Sequence, residues 1–250
     1  MKVLQVIFST NRIPYLTKTL EAQTKFNYEG LEVYKLLIDD YPQDRNNNQI
    51  LNLADNYGFN GVTLHSENLG LTKTWNELFE AVKESDFDYI LHHEDDVVLL
   101  HEVKVMDLIR ILDSNPNLSQ VQLKRNNWYA HETEEPGPRE DDTIFENYRY
   151  EINCDYFWSL MSLYPAWIAK EPIKETTQNN PSEFVIGQYL KNKYGKCSGL
   201  LKTSKGEIMV EHIGEYSQGQ RVAEGEPGWE AFKFYNPNLK YVSRTGELWK

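Results

Sequence analysis

The stretch that most constrains the fold of this chain is an apolar run that ends in three consecutive acids. The run at residues 87–93 leads into Glu94, Asp95 and Asp96, and a second apolar run follows at residues 97–99. A run of this kind, flanked by helical patterns, is typical of a buried strand. Three carboxylates at the end of a strand repel one another and are costly to desolvate together. A divalent cation shared with nucleotide phosphates relieves both penalties, so the stretch predicts a metal site, with an acidic surface loop as the alternative.

The residues before this stretch alternate between two hydrophobic patterns. Strand-like runs at residues 3–8, 31–38, 61–65 and 87–93 are separated by helical patterns at 15–26, 50–57 and 68–84. This alternation predicts parallel βαβ units, and therefore an α/β fold with an open, mainly parallel, doubly wound sheet flanked by helices. Ligands of such sheets bind at the carboxyl ends of the strands.

Polar residues cluster where these predicted strands end. The first strand is followed by Ser9, Thr10, Asn11 and Arg12, the second by Asp39 and Asp40, and the third helix is opened by Asn68 and Gly70. The acidic triplet adds a fourth cluster. Because the carboxyl ends of parallel strands meet at one edge of a sheet, we expect these side chains to form a common binding site.

The second part of the chain is less regular. Helices are predicted at residues 102–112 and 181–194, strands at 119–123, 157–164 and 208–210, and a helical turn at 165–170. Residues 125–149 are acidic and contain Pro136-Gly137-Pro138, which predicts a long loop able to close over a ligand. We expect one domain over residues 1–250, with halves at about 1–123 and 124–214 and an irregular tail at about 215–250.

Charge and aromatic content limit the partners of the chain. Its 26 basic and 38 acidic residues give a formal charge of −12, which disfavours nucleic acid and anionic membranes as main partners. The 16 Tyr and 6 Trp are more amphipathic aromatics than a core needs. Such rings line sugar-binding grooves, with half-buried surface positions as an equal alternative.

The cysteines and the N-terminal residues predict the compartment. Cys154 and Cys197 form no metal-ligand pair and are too few for a disulfide framework, so we expect two free thiols in a reducing compartment. The apolar run at residues 3–8 lacks a small-residue cleavage site and reads as a core strand. No window approaches the roughly 18 apolar residues of a membrane span, and we predict a cytoplasmic protein without a transmembrane segment.

Several short motifs, in order over roughly residues 2–214, together resemble those of the GT-A fold glycosyltransferases. Glu94-Asp95-Asp96 is similar to the metal-binding acid motif of that family, usually Asp-any-Asp, in its Glu-Asp-Asp variant. Leu37-Ile38-Asp39-Asp40 resembles the end of the family's second strand, and residues 9–12 resemble its first loop. Asn68-Leu69-Gly70 resembles the Asn-any-Gly segment that opens the helix before the acid motif.

The resemblance implies a GT-A type, Rossmann-like sheet with a smaller acceptor-side lobe, and it assigns roles to residues. Asp96 would be the main metal ligand, joined by His212, which stands where the family often places a second ligand. Imidazole favours Mn²⁺ over Mg²⁺, and a strand-end histidine bonded to backbone is the alternative. The nucleotide-sugar donor would be contacted by Ser9, Thr10, Asn11, Arg12, Asp39, Asp40, Asn68, Gly70, Glu94 and Asp95. Arg12 and Arg221 could each contact a phosphate. We expect both instead to be exposed at the surface.

The resemblance also implies a base near the acceptor. Glu183, at a predicted helix start, would deprotonate the acceptor hydroxyl if the reaction inverts the sugar; Asp155 is the rival base, and a structural first-turn glutamate is the alternative. The acceptor surface would contain Trp128, Tyr129, Trp158 and Trp167. Packing of these rings between the lobes is an equal alternative.

The implied function is a metal-dependent transfer of a single sugar from a nucleotide-sugar, with UDP favoured, to a hydroxyl of a glycan or other acceptor, with inversion. A retaining transferase of the same fold and a non-catalytic carbohydrate-binding protein are alternatives. A nucleotidyltransferase would normally carry a glycine-rich loop, and residues 9–12 contain no glycine. A two-metal phosphohydrolase would need more clustered His and Asp residues.

Overall fold

The structure, a computed structural model, describes residues 1–125, 144–145, 147–154, 157, 160–171 and 182–213. The helices are α1 (Ile13–Ala22), α2 (Asn47–Asn56), α3 (Leu71–Lys83), α4 (Val105–Ser114) and α5 (Ser182–Tyr194). The strands are β1 (Lys2–Ser9), β2 (Phe26–Asn27), β3 (Glu32–Asp39), β4 (Gly61–Leu64), β5 (Tyr89–Glu94), β6 (Val97–Leu99), β7 (Val103–Lys104), β8 (Leu118–Leu123), β9 (Ile144–Phe145), β10 (Tyr148–Asn153), β11 (Met161–Pro165), β12 (Cys197–Thr203) and β13 (Val210–His212). Short 3-10 helices, Gln23–Lys25 and Ala166–Lys170, follow α1 and β11.

Nine strands within these ranges form one open sheet in the order β4-β3-β1-β5-β11-β8-β12-β10-β9. Strand β1 pairs in parallel with β3 and β5, and β3 pairs in parallel with β4. Strand β11 is antiparallel to both β5 and β8, and β12 is parallel to β8, so β8 and β12 run in the direction of β1. The predicted α/β fold with an open, mainly parallel sheet flanked by helices is confirmed.

Strand β1 is almost entirely buried because helices cover both faces of the sheet. Leu4, Val6 and Phe8 pack in the cluster that contains α3, whereas Ile7 packs in the cluster that contains α1 and α2. This alternation follows from the two-residue period of a strand. The covering face of α3 consists of Trp75, Leu78, Phe79 and Val82, which recur at helical spacing. The packing fixes the carboxyl ends of β1, β3 and β5 side by side.

Of the strands longer than three residues, the sequence pattern did not reveal β10 and β12. Strand β10 begins at Tyr148, inside the predicted loop, most of which (residues 126–143) lies outside the described residues. Strand β12 contains Gly199, where a Cβ would lie 3.2 Å from Leu118 Cδ1, so the neighbouring strand leaves little room for a side chain. A glycine and a short apolar pair, Leu200 and Leu201, give too weak a pattern to indicate a central strand.

The prediction of two free thiols is wrong, because Cys154 and Cys197 form a disulfide. Strands β10 and β12 pair antiparallel with Asn153 opposite Ser198, so the next residues on each strand also meet. The disulfide depends on the pairing of β10 and β12, which the sequence did not indicate. The two cysteines are 43 residues apart in the chain, so no local pattern marks them as partners. The argument for a reducing compartment therefore loses its basis, and the cytoplasmic location stays a prediction.

Across the described ranges, no helix combines the length and the apolar character needed to cross a bilayer.

Candidate active site

The three acids lie at the carboxyl end of β5, in the centre of the sheet. Glu94 is the last residue of β5, and its N–H donates to the carbonyl of Leu160 at 3.1 Å. The N–H of Asp95 donates to the carbonyl of Phe8 at 2.9 Å, which ties the turn to β1. Asp96 then leads directly into β6. The acids are therefore fixed between β1 on one side and the segment before β11 on the other.

His212 is brought to these acids by a two-stranded sheet. Strand β13 pairs antiparallel with β6, with His212 opposite Val97, and the N–H of Ile213 donates to the carbonyl of Asp96 at 2.8 Å. The Nε2 atom of His212 lies 3.1 Å from Asp96 Oδ2. Glu94, Asp96 and His212 each offer one ligand atom, and these atoms all lie within 4.8 Å of one another.

These three residues fit a divalent cation. The side chain of Asp96 is 4% exposed, and its Oδ1 is buried without a hydrogen-bond partner among the described residues. A buried carboxylate oxygen in that position is costly unless something compensates it. Two carboxylates and one imidazole form a mixed oxygen and nitrogen set that suits Mn²⁺ better than Mg²⁺. Asp96 and His212 thus come together as predicted, and Glu94 joins them.

Asp95 points away from this cluster, towards the loop after β1. Its Oδ2 accepts hydrogen bonds from Ser9 Oγ at 3.1 Å and from the N–H of Thr10 at 3.0 Å. Its Oδ1 is paired with Arg12 Nη2, while Arg12 Nη1 lies 2.6 Å from Asp96 Oδ2. The side chain of Arg12 is only 11% exposed, so the expectation of a solvent-exposed position for this residue is wrong.

The electrostatics of the two neighbouring carboxyls differ. Burial raises the pKa of Asp95, and the charge of Arg12 opposes that shift without reversing it. Burial acts in the same direction on Asp96, but the hydrogen bond to His212 and the charges of His212 and Arg12 outweigh it and lower the pKa of Asp96. Arg12 itself is desolvated, yet the charges of Asp95 and Asp96 raise its pKa above the usual value. Asp96 is therefore the carboxylate better suited to bind a cation.

Asp39 holds two loops together. It is fully buried, and its Oδ2 accepts the N–H of Asn11 at 2.7 Å, while its Oδ1 lies 3.1 Å from Arg45 Nη1. Asn11 has a φ of 58°, a left-handed conformation that asparagine tolerates better than most residues. Its side chain donates to the carbonyl of Gln43 at 2.8 Å. Arg45 was missed by the sequence analysis because it lies in a loop without a recognisable pattern.

Asp40 fixes the start of α3. Its Oδ1 accepts the N–H of Leu69 at 2.9 Å, and its Oδ2 accepts the N–H of Gly70 at 2.7 Å. Gly70 has φ 78° and ψ 160°, a combination that is essentially restricted to glycine. The Nδ1 atom of His65 lies 2.8 Å from Asp40 Oδ1. Asn68 is exposed in the same turn, so the structure brings Asn68, Gly70 and Asp40 together.

Glu183 lies at the same edge of the sheet as the acids. Its carbonyl accepts the N–H of Phe157 at 2.9 Å, three residues before Leu160, whose carbonyl accepts the N–H of Glu94. Phe157 is buried in the cluster that contains Trp75 and anchors the first turn of α5. The other predicted base, Asp155, lies outside the described residues, as do Trp128, Tyr129, Trp158 and Arg221.

Trp167 lies at the opposite edge. Strand β11 runs antiparallel to β5, so the chain leaves β11 at the amino end of β5, where the N–H of Ala166 donates to the carbonyl of Asp88. The Trp167 ring packs edge to face against Tyr194, with centroids 5.3 Å apart. The structure does not bring Trp167 to the acids, because β11 runs antiparallel to β5.

A cavity of about 700 Å³ lies between α1 and the β6–β13 pair. It is lined by Tyr15, Lys18, Glu21 and Ala22 of α1 and by Val98, Glu211 and Ile213 of the β6–β13 pair. The Arg12 guanidinium lies 5.6 Å from the centroid of the Tyr15 ring.

Comparison with known proteins shows which solved structures have a similar fold. Neither the family models nor the curated proteins searched give a match to this chain. The mannosyltransferase PcManGT from Pyrobaculum calidifontis, in complex with GDP-Man and Mn²⁺, superposes with a TM-score of 0.61 at 9% identity, over 87% of this chain and 58% of that one. S. aureus TarS 1-349 in complex with UDP-GlcNAc superposes with a TM-score of 0.59 at 16% identity, over 93% of this chain and 65% of that one.

A further structure of S. aureus TarS superposes with a TM-score of 0.56 at 15% identity and covers 86% of this chain. The present chain spans 37% of that TarS chain and 58% to 65% of the other two structures. At these identities the likeness concerns the fold alone. The chain has the fold of glycosyltransferases whose solved structures carry nucleotide sugars.

Proposed function

We propose that this protein is a metal-dependent glycosyltransferase that moves a single sugar from a nucleotide-sugar, in the first place a UDP-sugar, to an acceptor hydroxyl with inversion. The observation that carries the proposal is the cluster of Glu94, Asp96 and His212 at the carboxyl edge of the sheet. It lies in a fold whose neighbours include one in complex with GDP-Man and Mn²⁺. The remaining arguments concern how the residues of this chain would bind and activate the substrates.

The proposed metal ligands are Glu94, Asp96 and His212. A divalent cation at this place supplies positive charge that stabilises the leaving diphosphate. Asp95 acts from the other side, because its hydrogen bonds with Ser9 and Thr10 fix the loop after β1 beside the acids. Neighbouring carboxylates of one turn therefore have separate roles: Asp95 orients the loop after β1, and Asp96 is a ligand of the cation.

The proposed nucleotide-binding surface is formed by the loops that Asp39 and Asp40 hold. Both carboxylates already accept loop N–H groups, so their role towards a nucleotide is to shape the loops, with their remaining acceptor capacity available to the base or ribose. Asn11 and Arg12 follow β1 on this surface, and Asn68 and Gly70 border it at the start of α3. This assignment keeps the predicted donor residues together at one edge.

Glu183 is the proposed base that accepts the proton of the acceptor hydroxyl. Its position in the first turn of α5, at the carboxyl edge, supports this role, and Asp155 is the rival. The proposed acceptor surface retains Trp128, Tyr129 and Trp158, whereas Trp167 is left out because it lies at the opposite edge. A retaining transferase of the same fold would need no such base, and the anomeric configuration of the product distinguishes the two reactions.

The first experiment is calorimetric titration of UDP with and without Mn²⁺. We expect UDP to bind the wild type in a metal-dependent manner, and the metal dependence to disappear in Asp96→Ala, because that change removes the central carboxylate of the cluster. Asp86→Ala is the matched control, since the side chain of Asp86 is 76% exposed and lies at the amino edge beside Lys2. Its titration should match the wild type.

The outcomes separate the candidate functions. Metal-dependent binding of GDP instead of UDP would keep the mechanism and change the donor class. Absence of nucleotide binding with every divalent metal tested would overturn the transferase proposal and favour a carbohydrate-binding protein. Where UDP binds, release of UDP from a panel of UDP-sugars, followed by NMR of the product, identifies the sugar and its configuration.

A further inference from the structure

Arg12 lies between the carboxylates of Asp95 and Asp96, which differ in their other contacts. Its Nη2 is paired with Asp95 Oδ1, and its Nη1 lies 2.6 Å from Asp96 Oδ2. The same Asp96 oxygen lies 3.1 Å from His212 Nε2. The guanidinium therefore sits on a carboxylate of the candidate metal cluster while it is anchored to a carboxylate outside that cluster.

The two contacts of Arg12 are not equivalent. Asp95 is fully buried and also bonded to Ser9 and Thr10, so its pair with Arg12 belongs to a fixed network. Asp96 instead shares the cluster with Glu94 and His212, where a divalent cation would repel the guanidinium. A guanidinium has five N–H donors in a planar fork, so one arm can stay on Asp95 while the other arm bonds a different anion.

We propose that Arg12 is an exchangeable counter-cation that couples metal binding to nucleotide binding. Without metal, Nη1 neutralises Asp96. With metal and nucleotide bound, Nη1 leaves Asp96 and bonds an anionic diphosphate oxygen, while Nη2 stays on Asp95. The inference rests on the proposed function, because it assumes that a nucleotide diphosphate binds beside the cluster. Arg12 lies in the loop after β1, at the carboxyl edge of the sheet that holds the proposed nucleotide-binding surface, so this arm is placed to reach an anion bound there.

The proposal predicts effects of opposite sign for one substitution. In Arg12→Gln, Mn²⁺ alone should bind several-fold more tightly than to the wild type, because the competing cation is gone. UDP at saturating Mn²⁺ should bind roughly tenfold more weakly, because a charge-assisted hydrogen bond to the diphosphate is lost. Free Mn²⁺ is measured by its electron paramagnetic resonance signal, and UDP binding by calorimetry.

The opposite signs separate this role from two simpler ones. If Arg12 only held the acids in place, both affinities would fall; if it only competed with metal, Mn²⁺ binding would strengthen and UDP binding would not weaken. Either result overturns the proposal. Arg110→Gln is the matched control, because the side chain of Arg110 is 57% exposed on α4, and we expect wild-type values for it.

A second variant keeps the test decisive if Arg12→Gln does not fold. Arg12→Lys retains the charge but has a single ammonium group, which cannot hold Asp95 and reach a second anion in the same way. We expect the same pair of opposite changes at smaller size, and changes of equal sign would overturn the proposal. Failure of the wild type to bind Mn²⁺ or UDP would instead count against the proposed function itself.

Discussion

The parallel strands β4, β3, β1 and β5 end side by side, and carboxylates at their ends bond the neighbouring loops. Asp39 accepts the N–H of Asn11, Asp40 accepts the N–H of Gly70, and Asp95 accepts the N–H of Thr10. The region that contains β11, β8, β12 and β10 contributes to the edge differently. It delivers Glu183 at the first turn of a helix, and the chain beyond β12 delivers His212 on a separate strand pair.

At the same edge of the sheet, the first region therefore supplies residues that stabilise the loops, and the second region supplies side chains proposed to bind ligands. Carboxylates of the first region are embedded in hydrogen bonds that the fold requires. His212 instead contacts the cluster through one side chain, with Val210 of the same strand buried in the core. Substitution of the buried carboxylates Asp39, Asp40 and Asp95 should therefore reduce stability, whereas substitution of His212 should reduce ligand binding at nearly unchanged stability.

The largest effect is expected for Asp39→Ala. The change leaves the buried charge of Arg45 and the N–H of Asn11 without their partner, which typically costs about 3–5 kcal/mol of unfolding free energy. Urea denaturation followed by circular dichroism measures the loss. The exposed Asp86→Ala is the control and should leave the midpoint unchanged. A midpoint for Asp39→Ala equal to that of the control would contradict the scaffold role of the first region.

The disulfide gives the next largest effect, in the second region. Reduction of the bond between Cys154 and Cys197 should lower the unfolding free energy by about 2–4 kcal/mol, because the bond closes a long loop. The bond lies at the start of β12, away from the acids, so Mn²⁺ affinity should not change. Thermal denaturation with and without dithiothreitol measures the shift, and a double Cys→Ser variant should be insensitive to the reductant. A loss of Mn²⁺ affinity on reduction would show that the two regions are coupled.

A smaller stability effect, with a clear binding effect, is expected for His212→Ala. Mn²⁺ affinity should fall at least about tenfold because one of three ligands is lost, while the unfolding free energy should change by less than about 1 kcal/mol. Paramagnetic resonance titration and urea denaturation on the same preparation measure the two quantities. A large stability loss with unchanged Mn²⁺ binding would place His212 with the scaffold residues.

The smallest effect concerns Glu171, which joins the turn after β11 to α5. Hydrogen bonds from Lys193, Tyr189 and Tyr194 lower the pKa of Glu171 to about 2. A carboxylate with a depressed folded pKa stabilises the fold above its unfolded pKa and loses that contribution as the pH falls. Between about pH 4.5 and pH 2, the wild type should therefore lose more stability than Glu171→Gln. Equal slopes in acid denaturation would show that this surface network adds nothing.

The two regions also differ in what the sequence could predict. Strict alternation of strands and helices indicated the parallel half, since each βαβ unit is a local pattern. Strand β11 lies between β5 and β8 in the reverse direction, which only the long-range pairing decides, so the sequence could not indicate the edge at which Trp167 lies. Strand β12 was hidden by Gly199, which the sheet needs for close packing against Leu118.

Within the candidate site, residue types were easier to predict than contacts. The acids were predicted as a metal site from their place after an apolar run, and His212 was found through the motif resemblance. The structure brings Glu94, Asp96 and His212 together. The inward position of Arg12 could not be predicted, because it depends on two carboxylates more than 80 residues away in the sequence. The roles of Glu183 and Asp155 as bases stay predictions, as do the acceptor contacts of Trp128, Tyr129 and Trp158.

The pairing of β13 with β6 has a consequence for how the protein is made. A ribosome completes the acids of β5 long before it reaches His212, because β13 lies more than 100 residues later in the chain. A nascent chain that ends before Val210 would carry the acids without the imidazole, and without the strand that bonds Asp96 through Ile213. The cluster of Glu94, Asp96 and His212 therefore forms only once translation has passed β13.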